Sequence, residues 1–145
     1  MATVADILAA KGRAVHTIDR QATALEAVRK MVKANVGSLI VTENDAIYGI
    51  FTERDYLRRV VLGDHPPQTC LTEISSRRLV VVEPSRSIED CMSIMTAERV
   101  RHLPVIDRSG LSGIVSIGDL VKYLSREQAA EIRYLTDYIS GKYPG

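Results

Sequence analysis

The sequence predicts an α+β protein in which one β-α-β-β-α unit is used twice, with a further helix at the C-terminal end. Three observations carry this. The chain falls on itself at a fixed offset of 64, so that Gly49 meets Gly113 and Asp55 meets Asp119. Within each copy, apolar residues at helical spacing alternate with short runs rich in β-branched residues. Each copy also contains a Gly-led strand that ends in a hydroxyl, with an acid three residues on: "GIFTERD", Gly49 to Asp55, and "GIVSIGD", Gly113 to Asp119.

The elements follow in order. "AVHTI" and its counterpart "LVVVE" are short β-rich runs. A helix is expected from Ala22 to Asn35, with Leu25, Val28, Met31 and Val32 on its apolar face. Its twin, Ser87 to Arg99, carries Ile88, Cys91, Met92 and Met95 in the same way. The strands "SLIVT" and "AIYGIFT" are joined by the polar turn Glu43-Asn44-Asp45 and read as a hairpin. "HLPVI" and "LSGIVS", around Asp107 to Gly110, repeat it. A helix closes each unit: Glu53 to Leu62, stopped by Gly63, and Ile117 onward. Pro66 and Pro67 mark the connector. The expected segments are thus residues 1–65, residues 66–124, and a C-terminal helix and tail over 125–145. Ser125 and Gln128 can cap that last helix, with Ile132, Leu135 and Ile139 as its stripe and Tyr134 and Tyr138 beside it. It either folds onto its own module or makes a dimer contact. Units this small are marginal alone, so the two are expected to pack about a pseudo-twofold axis, leaving two related clefts.

Composition excludes several classes. Apolar residues make up 46% and charged residues 26%, as in a folded soluble domain, and a net charge of +1 implies no polyanionic partner. No apolar run is long enough to span a bilayer. The start, "MATVADILAAKGR", is interrupted by Asp6 and is not expected to be a secretory signal; a cytoplasmic address follows. Two cysteines, Cys70 and Cys91, are too few and too far apart for a disulfide framework. His16, His65 and His102 do not share metal-ligand spacing with either cysteine, so no metal site and no catalytic set is expected. Cys91 reads as a buried structural thiol. One Phe, no Trp and the short basic pairs Arg58-Arg59 and Arg77-Arg78 disfavour nucleic acid.

Thr52 and Asp55, like Ser116 and Asp119, have the spacing of a capping box, as do Thr23 with Glu26 and Ser87 with Asp90. The first two pairs differ in context, because each follows a strand directly. First-turn amides there favour an anion, the hydroxyl can donate to a phosphate oxygen, and the carboxylate can accept from paired hydroxyls such as those of ribose.

The repeated Gly-apolar-x-Thr/Ser-x-x-Asp motif, the "RHLPVID" run at Arg101 to Asp107, and the order of elements resemble tandem CBS domains, together called a Bateman module. The resemblance runs from Val4 to about Leu124. "SIGDLVK" and the tail "YISGKYPG" are similar to those of small stand-alone CBS-pair proteins. What it implies is a regulatory or sensory module, not an enzyme, that binds AMP, ADP, ATP, NAD(H) or S-adenosylmethionine in the clefts and acts as a homodimer upon a target enzyme, with no cofactor required. Asp55 and Asp119 would hold ribose hydroxyls, Thr52 and Ser116 would approach phosphate, and adenine would lie near Thr17 and Ile18 in one cleft and Val80 and Val81 in the other. Two further classes stay open: an interaction or dimerisation module with no physiological ligand, and a regulatory fragment related to inosine monophosphate dehydrogenase. The copies are unequal. Arg101 and His102 stand where the first copy has Gly37 and Ser38, and Arg54 has Gly118 as its counterpart. Arg101 in the second site and Arg54 in the first are candidate phosphate contacts, with a surface ion pair as the alternative for Arg101. His102 could add charge at acidic pH.

Overall fold

The computed structural model of the chain describes residues 1–139, with side chains to residue 133. Among the described residues six α-helices and five strands form two compact units, named here by their place in the sequence: a central unit, Ala14–Val81, and a terminal unit made of Met1–Arg13 and the chain from Val82 onward.

In the central unit, strands β1 (Thr17–Asp19), β2 (Ser38–Glu43) and β3 (Ala46–Thr52) form a sheet in that order, β1 parallel and β3 antiparallel to β2. Asn44 and Asp45 join β2 to β3 with φ of 50° and 66°, the two positive values of a type I′ hairpin turn. Helix α2 (Ala24–Ala34) is capped by Thr23 and Glu26 and ends at Asn35 in the left-handed conformation. The expected apolar face of α2 is corrected. The helix buries Ala24, Ala27 and Met31, whereas Val32 is 77% exposed. Small residues let the helix lie close on Leu39, Val41 and Phe51, which share that core with Tyr48, Leu71 and Ile74. Helix α3 (Glu53–Tyr56) leaves β3 directly and runs on as a π-helical turn over Leu57–Val61. Gly63 follows because a Cβ there would meet the Arg59 carbonyl oxygen at 2.5 Å. Helix α4 (Leu71–Ile74) comes next, and Ser76 then pairs with Ile50 on the outer edge of β3.

The terminal unit holds α1 (Val4–Lys11), α5 (Ile88–Glu98), the hairpin β4 (His102–Asp107) and β5 (Gly110–Ser116), and α6 (Ile117–Ile139). Here "LVVVE" forms no full strand: only Val82 bridges, in parallel, to Val105. Helix α6 runs unbroken for 23 residues, so Ser125 lies inside it and does not cap a separate helix. Ile132 is exposed; Leu135, Ile139, Tyr134 and Tyr138 lie outside the described side chains, and most of "YISGKYPG" lies outside the described residues. Cys91 is fully buried, and burial pushes its thiol pKa up, as a structural thiol requires. Arg77 is not a purely solvated cation: it donates to the Tyr48 carbonyl at 2.6 Å and stacks 3.7 Å from that ring's centre.

Helices α1 and α4 are equivalent elements that the 64-residue offset does not reveal. Leu71 N–H donates to Ala22 and Thr72 N–H to Arg20, and in the terminal unit Val4 N–H donates to Arg86 and Ala5 N–H to Pro84. Likewise Ala24 N–H donates to Thr69, and Ile88 N–H to Ala2. Each leading helix therefore packs with the body of the other sequence repeat, which is why the spatial units divide near Arg13 and Val81.

Candidate functional site

Both strand-to-helix turns are built by the same bonds. Glu53 N–H donates to Gly37 O at 3.1 Å, and Ile117 N–H to Arg101 O at 2.9 Å, so each first helical residue is tied to the residue that enters the hairpin before it. Thr52 N–H donates to Asp55 Oδ2 at 2.9 Å and Asp55 N–H to Thr52 Oγ1 at 3.2 Å. In the second copy Ser116 N–H donates to Asp119 Oδ2 at 2.8 Å, and Asp119 N–H to Ser116 Oγ at 3.1 Å. Both pairs are capping boxes in fact. Each box uses one carboxylate oxygen and one lone pair of one hydroxyl. Oδ1 of each acid and the hydroxyl proton of Thr52 or Ser116 are left for a further partner.

The sheet register brings the expected first-copy residues to one end. Thr52 pairs with Ser38 at the start of β2, and Thr17 pairs with Ile40 on the other side of that strand. Thr17, Ile18, Thr52, Arg54 and Asp55 thus share one sheet and its first helical turn. Thr17 O accepts from Lys30 Nζ, and Arg54 is half-buried. In the second copy His102 pairs with Ser116 as Ser38 does with Thr52. Arg101 is exposed beside it. Val80 and Val81 are the last residues of the central unit, and the register places Val82 opposite Val105 as Ile18 lies opposite Val41. By register, Val81 and Val82 are therefore the counterparts of Thr17 and Ile18.

Lys11 was missed by sequence reasoning. It reaches from the end of α1 to Asp119 Oδ2 at 2.6 Å and to Ile114 O at 2.8 Å. Burial raises the Asp119 pKa, but the Lys11 hydrogen bond, the Ser116 amide and the Lys11 charge outweigh that, and the carboxyl is held below its usual value. A signal for α1 was present: Thr3 and Asp6 form a further capping box, with Thr3 N–H donating to Asp6 Oδ2 at 2.9 Å. Among the described residues no group of His, Cys, Asp and Glu is arranged to hold a metal, and no helix is long and apolar enough to cross a membrane.

A duplicated α+β unit with a hydroxyl–acid turn at the end of each hairpin defines a tandem two-repeat module. A family model for the CBS domain matches residues 3–62 and again 71–126. The chain belongs to the CBS-domain family. Its relatives include the mitochondrial CBS domain-containing protein CBSX3 of Arabidopsis thaliana, 37% identical over 97% of this chain and 73% of the relative. A CBS-domain protein of Burkholderia ambifaria superposes with a TM-score of 0.84 at 43% identity, over 88% of this chain and 96% of that one. A more distant pair shows the same fold, with a TM-score of 0.74 at 20% identity over 85% of this chain and 99% of its own. That protein was solved with 5′-methylthioadenosine and S-adenosylmethionine.

Proposed function

We propose that the protein is a cytoplasmic sensor of an adenosine-containing ligand, AMP, ADP, ATP, NAD(H) or S-adenosylmethionine, whose homodimer relays ligand state to a target enzyme. The observation that carries this is the matched pair of capping boxes at one register position, each with a hydroxyl proton and a carboxylate oxygen to spare. A mere cap does not need the strand-end position, which Thr23 and Ser87 lack. The adenosine derivatives bound by the distant pair support the ligand class without choosing among its members. Asp55 and Asp119 hold ribose hydroxyls in this proposal, Thr52 and Ser116 approach phosphate, Arg54 and Arg101 supply charge, and Thr17, Ile18, Val80 and Val81 meet the base. In isothermal titration of the full chain with these ligands, one is expected to bind in the micromolar range. The Asp55→Ala, Asp119→Ala double variant is expected to lose at least tenfold in affinity with its circular dichroism unchanged. Equal affinity in that variant counts against the proposal.

A second role, as an interaction module, is favoured by the exposed apolar side chains of the central unit. Val32 is 77% exposed and Leu62 84%, with Leu57 and Val61 also open to solvent. Such side chains usually mark a protein contact when they cluster. The dimer is expected to use them, so Val32→Glu with Leu62→Glu should shift sedimentation equilibrium towards monomer by at least tenfold in dissociation constant.

A further inference from the structure

The two strand-end acids differ in what already holds them. Asp55 Oδ2 accepts from the Thr52 amide at 2.9 Å, and among the described residues no ion pair engages that acid. Asp119 Oδ2 accepts twice, from the Ser116 amide at 2.8 Å and from Lys11 Nζ at 2.6 Å. A carboxylate oxygen has two lone-pair positions. Oδ2 of Asp119 is therefore full, whereas Oδ2 of Asp55 keeps one position open. Lys11 is fixed by a second bond, to Ile114 O at 2.8 Å. Pro104, opposite Ile114 in the hairpin, turns its carbonyl to the Val82 amide, so the polar backbone groups of Ile114 face away from β4. In the central unit the corresponding Ile50 O is taken by the Ser76 amide instead. The difference follows from helix length. Helix α4 ends at Ile74, the counterpart of Ile7, one turn short of where α1 places Lys11.

We propose that Lys11 is a latch that makes the two turns unequal: Asp55 holds a ribose with both carboxylate oxygens, and Asp119 with one until Lys11 withdraws. The inference rests on the adenosine reading and adds an order of filling to it. A vicinal diol held by one carboxylate puts one hydroxyl on each oxygen. At Asp55 both hydroxyls find an open position. At Asp119 only Oδ1 accepts, so the second hydroxyl is left without a partner or must displace Lys11 from both of its acceptors. Hydrogen bonds to an ionised acceptor are the strong ones, so the Asp55 turn fills first. Full engagement of the Asp119 turn then frees the end of α1, where Gly12, at φ of 102°, stops the helix directly after Lys11. That helix end registers the second occupancy.

The 2′-hydroxyl is the probe. The uniformly ¹⁵N-labelled full chain is titrated with adenosine and with 2′-deoxyadenosine. The amides of Thr52 and Asp55 report one turn, and those of Ser116 and Asp119 the other. In the wild-type chain, loss of the 2′-hydroxyl is expected to weaken binding about tenfold at the Asp55 turn and by less than about threefold at the Asp119 turn. Lys11→Met should strengthen adenosine binding at the Asp119 turn by at least about threefold and give that turn the 2′-hydroxyl dependence of the other. Lys11→Arg should keep the wild-type pattern. A purely structural role for Lys11 would weaken both ligands alike and leave their ratio where it was. Equal 2′-hydroxyl dependence at the two turns of the wild-type chain, or an unchanged ratio in Lys11→Met, overturns the inference while the adenosine reading stands. The wild-type comparison decides the matter even where Lys11→Met does not fold. Silence of both turns to adenosine, AMP, ATP, NAD and S-adenosylmethionine overturns the adenosine reading, and the inference with it.

Discussion

Gly49→Ala is expected to destabilise the protein by about 2–3 kcal/mol, and Gly113→Ala by about 1 kcal/mol or less, although the two glycines lead the same motif. A Cβ on Gly49 would lie against the Ser76 carbonyl oxygen, deep inside van der Waals contact. That oxygen is backbone and cannot rotate away. It also accepts from Ile50 N–H at 2.9 Å, and Ser76 N–H returns a bond to Ile50 O at 2.9 Å. Relief requires pulling this pair apart at the sheet edge, which sacrifices both bonds as well as packing. At Gly113 the new methyl would meet only the Leu8 side chain, Cδ2 at 2.8 Å and Cδ1 at 3.0 Å. A leucine can change rotamer for a fraction of that energy. Urea denaturation of the two variants checks this, and equal losses would refute the assignment of the first glycine to the Ser76 contact.

Asp119→Ala is expected to lower stability by about 2 kcal/mol at pH 7, through loss of a helix cap and of the Lys11 pair. Lys11 and Asp119 side chains are 33% and 22% exposed, so solvent screens part of their attraction. The pH dependence has a definite sign. The folded carboxyl has a lowered pKa, so its charge-linked stabilisation is complete above the unfolded value of about 3.9. It is lost as pH falls below that value and through the folded one. The wild-type advantage over the alanine variant should therefore be level from pH 7 to 5 and shrink below about pH 4. A difference that grows on acidification would show that the lysine pair is not stabilising. Lys11→Met should reproduce the charge-linked part alone.

How much of this was legible depended on whether the signal was local. Thr23 with Glu26 and the two strand-end boxes mark helix starts because a hydroxyl and an acid three apart bond their own backbone, and Ser87 does so through its hydroxyl alone. The apolar, β-branched runs "SLIVT" and "AIYGIFT", with a polar turn between, were enough to place the hairpin. The exchange of leading helices was not legible, since it rests on bonds between distant segments, as from Val4 to Arg86. Its repeat also runs at an offset of 67, Val4 to Leu71, so a search at 64 passes over it. Lys11 was hidden for the same reason, as it lies in the turn that α4 lacks. Ser125 shows the opposite failure: its cap signal is real, but the residues before it are already helical and nothing breaks them. Val32 was assigned inward because its spacing fits, whereas Ala24 and Ala27 take the core.

The composition of the terminal unit has a consequence for how the chain is made. Helix α1 leaves the ribosome before the rest of its unit, and the carbonyl that Lys11 binds lies 103 residues later. At a synthesis rate of about 5–20 residues per second, roughly 5–20 s pass before the helix meets its strand. Throughout that interval Val4, Ile7 and Leu8, all buried in the finished protein, have no core to enter. The central unit, whose residues are contiguous from Ala14 to Val81, is complete by then. The helix made before the central unit is housed only after it, so the nascent chain carries three apolar side chains in the open until the second hairpin emerges.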